Sequence, residues 1–344
     1  MKTLFIGILL IISNLSWSQQ LDLTIQIDSL LKTKTFKPFN GSVLINQGKK
    51  QIYSTGNGFS DLDKKTPLKQ ESQFVIGSIS KQITAVLILQ EYDKGTLELD
   101  VPIKKYLPEL TQKWANKVTI RHLLTHMHGI EKRDEPLKFK PGTKFEYSQI
   151  GFDILSSILE SLTHKSFAEL SLDLFQKCNM TNTFHPDSKK HHNLVFGYTE
   201  NEKGELKIER NSLNNYVAAG GFISTISDLH QWNELLYEGK LLSIATFKML
   251  TTIQKGAIRN HPLFGKTTYG LGLTVDYKDG LLQYGQTGFA PGFVSLNFYY
   301  PKTNTSLIIL ENVVYDANDL NKAFYYHIKI LDLVRNFINS KNEH

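Results

Sequence analysis

Apolar positions along this chain change period several times, and the order of the changes outlines a fold. Lys2 precedes an apolar run over residues 4–12. Leu21, Leu23, Ile25, Ile27, Leu30 and Leu31 then fit an amphipathic helix, although the alternation in the first half also fits a strand. Two apolar runs, Ser42 to Ile45 and Gln51 to Tyr53, flank Asn46, Gln47, Gly48 and two lysines, which predicts a β-hairpin. The stretch from Gly77 to Tyr92 carries Ile79, Ile83, Ala85, Val86, Leu87 and Leu89 around most of a helical circumference. A helix that is apolar all round belongs in the interior.

From Leu97 to about Asn211 the texture is helical with loops. Thr119 is placed to cap a helix running through Leu124, and Pro141 with Gly142 opens a turn before a second helix from about Ser148 to Leu162. After Gly220 and Gly221 the pattern becomes β. Short runs at Tyr269 to Val275, Leu281 to Tyr284, Gly292 to Tyr299 and Thr305 to Glu311 are bounded by Gly, Pro and Asn. Residues 317–338 return to helical periodicity. The expected architecture is α/β (α+β): an antiparallel sheet made from both ends of the chain, flanked by helices, with an inserted all-helical subdomain. The expected division is a sheet subdomain at about 22–90 and 220–344 and a helical subdomain at about 91–219.

Composition sharpens this outline in three places. A length of 344 residues allows one large domain or two intimate ones, which suits a discontinuous sheet with an insert. The net charge of +6 is spread out, with its densest cluster at Lys189, Lys190, His191 and His192, so no nucleic-acid stripe is indicated. The single cysteine, Cys178, rules out an intramolecular disulfide. Lys2, the apolar run and the small residues Ser16 and Ser18 before Gln19 outline a signal peptide over residues 1–18. Its apolar run is too short for a spanning helix, which needs about 20 residues. The expected location is secreted or periplasmic, with no stable membrane span after processing.

The pattern S-x-x-K occurs twice, at Ser29 with Lys32 and at Ser78 with Lys81. Context separates the two. The first lies in a surface-like helix, whereas Gly77 and Ser78 open the most apolar helix of the chain. Residues three apart share a helical face, so Lys81 reaches toward the Ser78 hydroxyl. The helix N-terminus directs unpaired N–H groups at an anion forming there. A lysine in a dry site has a depressed pKa and is able to activate a serine.

These residues stand in a wider set of ordered blocks. They are Phe74-Val75-Ile76-Gly77-Ser78-Ile79-Ser80-Lys81-Gln82, Thr119-Ile120-Arg121-His122-Leu123-Leu124-Thr125-His126, Pro141-Gly142-Thr143-Lys144-Phe145 before Tyr147-Ser148, Ala219-Gly220-Gly221, and Gly285-Gln286-Thr287-Gly288 before Pro291-Gly292-Phe293. In these blocks the chain resembles the serine β-lactamase and penicillin-binding protein superfamily, and most of all its class C, esterase and D-aminopeptidase-like branch. The resemblance implies that Ser78 is the nucleophile, Lys81 its activating partner and Tyr147 the phenol that passes a proton to the leaving group. It leaves open whether Lys81 or Tyr147 is the general base. It also implies an oxyanion site between the backbone N–H groups of Ser78 and Phe289.

Two departures from that family pattern bear on substrate. The Y-x-N motif reads Tyr147-Ser148-Gln149, which lengthens the amide side chain by one methylene. The third motif reads Gln286-Thr287-Gly288, where the family has Lys or His, and a glutamine carries no charge for a substrate carboxylate. Gln149, Gln286, Thr287, Gly288 and Phe289 are the expected substrate-binding residues. The implied activity is hydrolysis of an ester, amide or peptide through an acyl-enzyme, without efficient β-lactam turnover, unless a cation elsewhere in the fold replaces the missing charge. A D-Ala carboxypeptidase, a class C-like β-lactamase and a non-catalytic protein binding cell-envelope peptides are the alternatives. No metal or organic cofactor is implied, the partner is a small molecule or peptide, and the oligomeric state is left open.

Other patterns carry less. His122, His126 and His128 form H-x-x-x-H-x-H, but Ile130 stands where the zinc-dependent pattern has an aspartate, so these histidines read as structural or surface residues. Ile76 and Ser80 occupy the positions where G-x-S-x-G requires glycine, and no glycine-rich phosphate loop is present.

Overall fold

The computed structural model describes residues 20–34, 36–188, 192–209 and 216–340. The expected signal peptide therefore lies outside the described residues, as do Lys189, Lys190 and His191 of the basic cluster. A six-stranded sheet contains β1 (Gly41–Gln47), β2 (Lys50–Asn57), β3 (Thr274–Lys278), β4 (Leu281–Ala290), β5 (Phe293–Tyr300) and β6 (Thr305–Glu311) in the order β3-β4-β5-β6-β1-β2. Every neighbouring pair is antiparallel. The two ends of the chain meet where β1 pairs with β6, with Val43 opposite Ile309.

Helices cover both faces. They include α1 (residues 20–31), α2 (Ser80–Asp93), α3 (Ile120–Leu124), α4 (Ile150–Thr163), α5 (Phe167–Lys177), α6 (Ile226–Tyr237) and α7 (Tyr325–Ser340). Strand β6 shows why it is apolar along its whole length. Leu307 and Ile309 pack with Leu23, Ile27 and Leu31 of α1 and with Ile330, Val334 and Ile338 of α7. Ile308 and Leu310 point to the other face, in the cluster that holds α2 and Leu229, Trp232 and Leu236 of α6. A strand buried on both faces loses alternation and becomes a continuous apolar run.

Residues 23, 27 and 31 bury one stripe of α1, while Leu21 and Ile25 remain exposed, so helical spacing prevails over the alternation that also fitted a strand. Thr119 caps α3, and its hydroxyl and the His122 ring exchange hydrogen bonds with each other's backbone N–H groups.

The run Tyr269 to Val275 is a strand only from Thr274, because Gly272 turns the chain at φ +86°, where an added Cβ would lie 2.4 Å from the Ala85 methyl group of α2. Strand β4 is longer than its apolar run suggested. It continues through Gln286 and Gly288 because those residues pair with Asn297 and Ser295 of β5. The C-terminal helical stretch divides at Phe324 into a short turn, Leu320–Ala323, and α7. No described helix is long and apolar enough to cross a membrane.

Candidate active site

Strand β3 pairs with β4 only as far as Gly285, so the remainder of β4 keeps one edge open. The turn before α2 occupies that edge. Gly77 has φ +54°, and a Cβ there would lie 2.6 Å from the Phe289 nitrogen. Only glycine brings the backbone this close in this conformation. Residues Gly77–Ile79 form a 3-10 turn rather than the first turn of α2, and Ser78 sits in it, 8% exposed, between the helix and β4. The Phe289 nitrogen thus lies beside the residue that precedes Ser78, on the side where the expected oxyanion donors would converge.

Lys81 is fully buried in the first turn of α2. Its Nζ lies 3.2 Å from Ser78 Oγ and donates to Gln149 Oε1 and to the Ala219 carbonyl, each at 2.7 Å. The turn Val217–Gly220 is held along the same face of α2. Thr84 donates to the Ala218 carbonyl at 2.7 Å, and the Phe222 N–H donates to Ser80 Oγ at 3.2 Å. Burial lowers the Lys81 pKa, and the Arg259 charge adds to this against the opposing pull of the Tyr147 phenol. The extra methylene of Gln149 leaves its oxygen within hydrogen-bonding distance of the amine.

Tyr147 closes the constellation. Its ring centroid lies 4.8 Å from Lys81 Nζ, and its phenol is within hydrogen-bonding reach of Ser78. Burial disfavours the phenolate, but the charges of Lys81 and Arg259 and the hydrogen bonds with Ser78 and Lys81 outweigh it and hold the pKa below its ordinary value. Gln286 is buried beneath this group. Its Nε2 donates to the Tyr147 oxygen at 2.9 Å, and its Oε1 accepts from Tyr269 at 3.3 Å. Both ends of the amide are therefore engaged by tyrosines, which differs from the substrate-facing position expected for it.

Thr287 and Phe289 lie further along the open edge. Thr287 Oγ1 is 3.2 Å from His261 Nε2, and the Leu263 N–H donates to Nδ1 of the same ring at 3.1 Å. Nδ1 is thus an acceptor, so the ring proton of the neutral form sits on Nε2 and points at Thr287. Burial pushes the His261 pKa down to about 3, which keeps the ring neutral. Phe289 leaves its ring 41% exposed, and Gly288 is buried between Ile76 and Ser295.

Sequence reasoning missed Tyr269, His261 and Arg259. Arg259 holds its guanidinium carbon over the Tyr147 ring, 4.0 Å from the centroid. His126, read as structural, packs 4.4 Å from the same ring and accepts the Ser148 N–H at Nδ1. His122 and His128 likewise accept backbone N–H groups, from Thr119 and Ile130. Ser29 on α1 and Lys32, in the turn that follows it, are both exposed.

The beta-lactamase family profile matches residues 33–332. The chain belongs to that family. Its beta-lactamase relatives include penicillin-binding proteins and hydrolases. The chain is 23% identical over 308 residues to the "Putative penicillin-binding protein PbpX" of Bacillus subtilis, an alignment that covers 83% of this chain and 74% of that one. It is 24% identical over 281 residues to the "Serine beta-lactamase-like protein LACTB, mitochondrial" of Homo sapiens, covering 55% of this chain and 51% of the relative, so the chain spans about half of that protein's length. The structure of the D-amino acid amidase of Ochrobactrum anthropi SV3 with D-phenylalanine superposes with a TM-score of 0.79 at 20% identity, covering 93% of this chain and 99% of the other. At that identity the superposition establishes the shared β-lactamase/transpeptidase fold.

Proposed function

We propose that this member of the beta-lactamase family is an exported serine hydrolase that acts through an acyl-enzyme on an ester, amide or peptide. The observation that carries the reading is the environment of Lys81 Nζ, which lies 3.2 Å from Ser78 Oγ while two carbonyl-type oxygens take its other hydrogens. A neutral amine has two N–H groups and one lone pair. Once Gln149 and Ala219 accept the two hydrogens, the lone pair is left toward the Ser78 hydroxyl.

In this reading Ser78 Oγ bonds to the substrate carbonyl carbon and its proton passes to Lys81 or the Tyr147 phenolate. The same relay then protonates the departing amine or alcohol as the carbonyl–heteroatom bond breaks. Water next attacks the acyl-serine and gives a proton to the relay, which returns it to Ser78 Oγ as the acyl–oxygen bond breaks and the carboxylic acid leaves. The neutral amide of Gln286, engaged by two tyrosines, supports a substrate without the free carboxylate of a β-lactam. The amidase likeness makes D-aminoacyl amides the first substrates to try, beside their L forms and short-chain esters. Lys2, the apolar residues 4–12, Ser16 and Ser18 support export with cleavage before Gln19.

The test is intact-mass analysis of the mature protein after exposure to a fluorophosphonate and to a penicillin. A single covalent adduct is expected, absent in both Ser78→Ala and Lys81→Ala. A wild type that stays unlabelled favours the second reading, a non-catalytic protein that binds envelope peptides, to which the departures at Gln149 and Gln286 lend support. Nitrocefin turnover as fast as that of a dedicated β-lactamase would contradict the substrate assignment.

A further inference from the structure

Two strands, Ile258–His261 and Gly265–Thr268, form a small antiparallel hairpin beside the open edge of β4, with Arg259 opposite Thr267. Residues two apart in a strand share a face. Here Arg259 and His261 share the face turned to the site. His261 meets Thr287 of β4, and the Arg259 guanidinium carbon lies 4.0 Å over the centre of the Tyr147 ring. The hairpin is thus registered on the third motif by one residue and delivers a cation to the phenol with the other. No carboxylate among the described residues pairs with Arg259.

We propose that Arg259 supplies, from this hairpin and to the Tyr147 phenol rather than to a substrate carboxylate, the positive charge that the Gln286-Thr287-Gly288 motif lacks, and that it acts as a positioning residue which favours the phenolate of Tyr147. The inference rests on the serine hydrolase reading for its role in turnover, although the charge effect itself does not require turnover.

The groups that face Tyr147 leave few other sources of charge. From α2 comes Lys81, from the end of α3 His126, from the segment before β3 Tyr269, and from β4 Gln286. Burial holds His126 well below its ordinary pKa, with Lys81, His128 and Arg259 adding to the effect, so the imidazole is neutral. Burial likewise raises Tyr269 far above its ordinary value, so it remains a protonated donor. Gln286 is neutral by chemistry. When Lys81 is the free amine that activates Ser78, Arg259 is the cation left against the phenol. A guanidinium keeps its charge throughout the working pH range. Its position over the ring also contributes a cation–π attraction.

The test compares wild type, Arg259→Gln, Arg259→Lys and the double variant Arg259→Gln/Gln286→Lys on p-nitrophenyl acetate. This ester is uncharged, so a contact with a substrate carboxylate cannot account for any change. Loss of the cation raises the phenol pKa, so the acid limb of kcat/KM should move up by about one pH unit in Arg259→Gln. On the acid side of the limb that corresponds to about a tenfold loss. Arg259→Lys should stay near wild type, and Gln286→Lys should bring the limb of Arg259→Gln back. A second readout needs no turnover: the tyrosinate absorbance titration of each protein minus its Tyr147→Phe counterpart, in which Arg259→Gln should move the Tyr147 step upward. An unchanged limb and an unchanged tyrosinate step in Arg259→Gln overturn the proposal, as does an Arg259→Lys protein no better than Arg259→Gln. A wild type that hydrolyses nothing while its tyrosinate step still depends on Arg259 refutes the hydrolase reading and leaves the charge assignment standing.

Discussion

Lys81 illustrates how the site works at the scale of one residue. An ammonium would need three acceptors in a dry pocket, and it finds Ser78 Oγ, Gln149 Oε1 and the Ala219 carbonyl. The free amine keeps two of these contacts and turns its lone pair to the third, so deprotonation costs little rearrangement. Gln149→Ala removes one fixed acceptor and lets the amine rotate away from Ser78. The expected result is a fall in kcat of about 10- to 100-fold, the range of one hydrogen bond to a charged group, with KM little changed. A steady-state measurement on the best ester checks this, and an equal rise in KM with constant kcat would mean that Gln149 only binds substrate. Ser78, Lys81, Tyr147 and Gln149 could be named from sequence because short linear motifs hold them. Arg259, Tyr269 and His261 could not, because each reaches the site by tertiary contact, and nothing in their local sequence distinguishes them from ordinary strand and loop residues.

At the scale of elements, the decisive joint is the turn between the chain entering α2 and the open edge of β4. Gly77 makes that joint, with its left-handed φ and its backbone pressed on Gly288 and Phe289. Gly77→Ala adds the cost of a side chain in that conformation, about 1–2 kcal/mol, and a methyl group that forces β4 away from Ser78. Denaturant unfolding should show a loss of at least that size, and covalent labelling of Ser78 should become far slower in the folded protein. Labelling at the wild-type rate would show that the close approach does not matter to the chemistry. The run β6, the apolar helix α2 and the capped helix α3 were legible because each is dictated by burial or by a cap within its own residues. The ends of β4 and the start of β3 were not. Whether a glycine-containing stretch stays extended depends on the partner strand it meets, and the apolar pattern of β4 alone does not show that Gln286 and Gly288 pair with Asn297 and Ser295 of β5. The same reasoning explains the turn Gly77–Ile79, whose shape is set by the strand it packs against.

At the scale of the whole molecule, the two ends of the chain are joined through β1, β6 and α7, and a buried ionisable pair lies at that junction. Glu311 ends β6 opposite Gly41 of β1, and its carboxylate oxygen is 3.3 Å from His327 Nδ1 of α7. Both side chains are buried, and that pair of atoms forms no well-aligned hydrogen bond. Burial raises the Glu311 pKa well above its ordinary 4.5 and lowers that of His327 from 6.5 to about 3, so folding favours the neutral form of each. The two groups oppose one another in their effect on stability. A raised carboxyl contributes stability that is complete below about 4.5 and is lost as pH climbs toward the folded value. A lowered imidazole contributes stability that is complete above about 6.5 and is lost as pH falls toward 3. Glu311→Gln keeps the shape and removes only the first of these. Its stability relative to wild type should be constant below pH 4.5 and then increase with pH. The gain should not exceed about 1.4 kcal/mol per pH unit and should level off once the wild-type carboxyl ionises in the folded state. All other titrating groups are shared by the two proteins and cancel in the difference. Urea unfolding of both proteins across pH 4 to 9 measures it, and a difference that does not vary with pH would mean that folding does not raise the Glu311 carboxyl pKa.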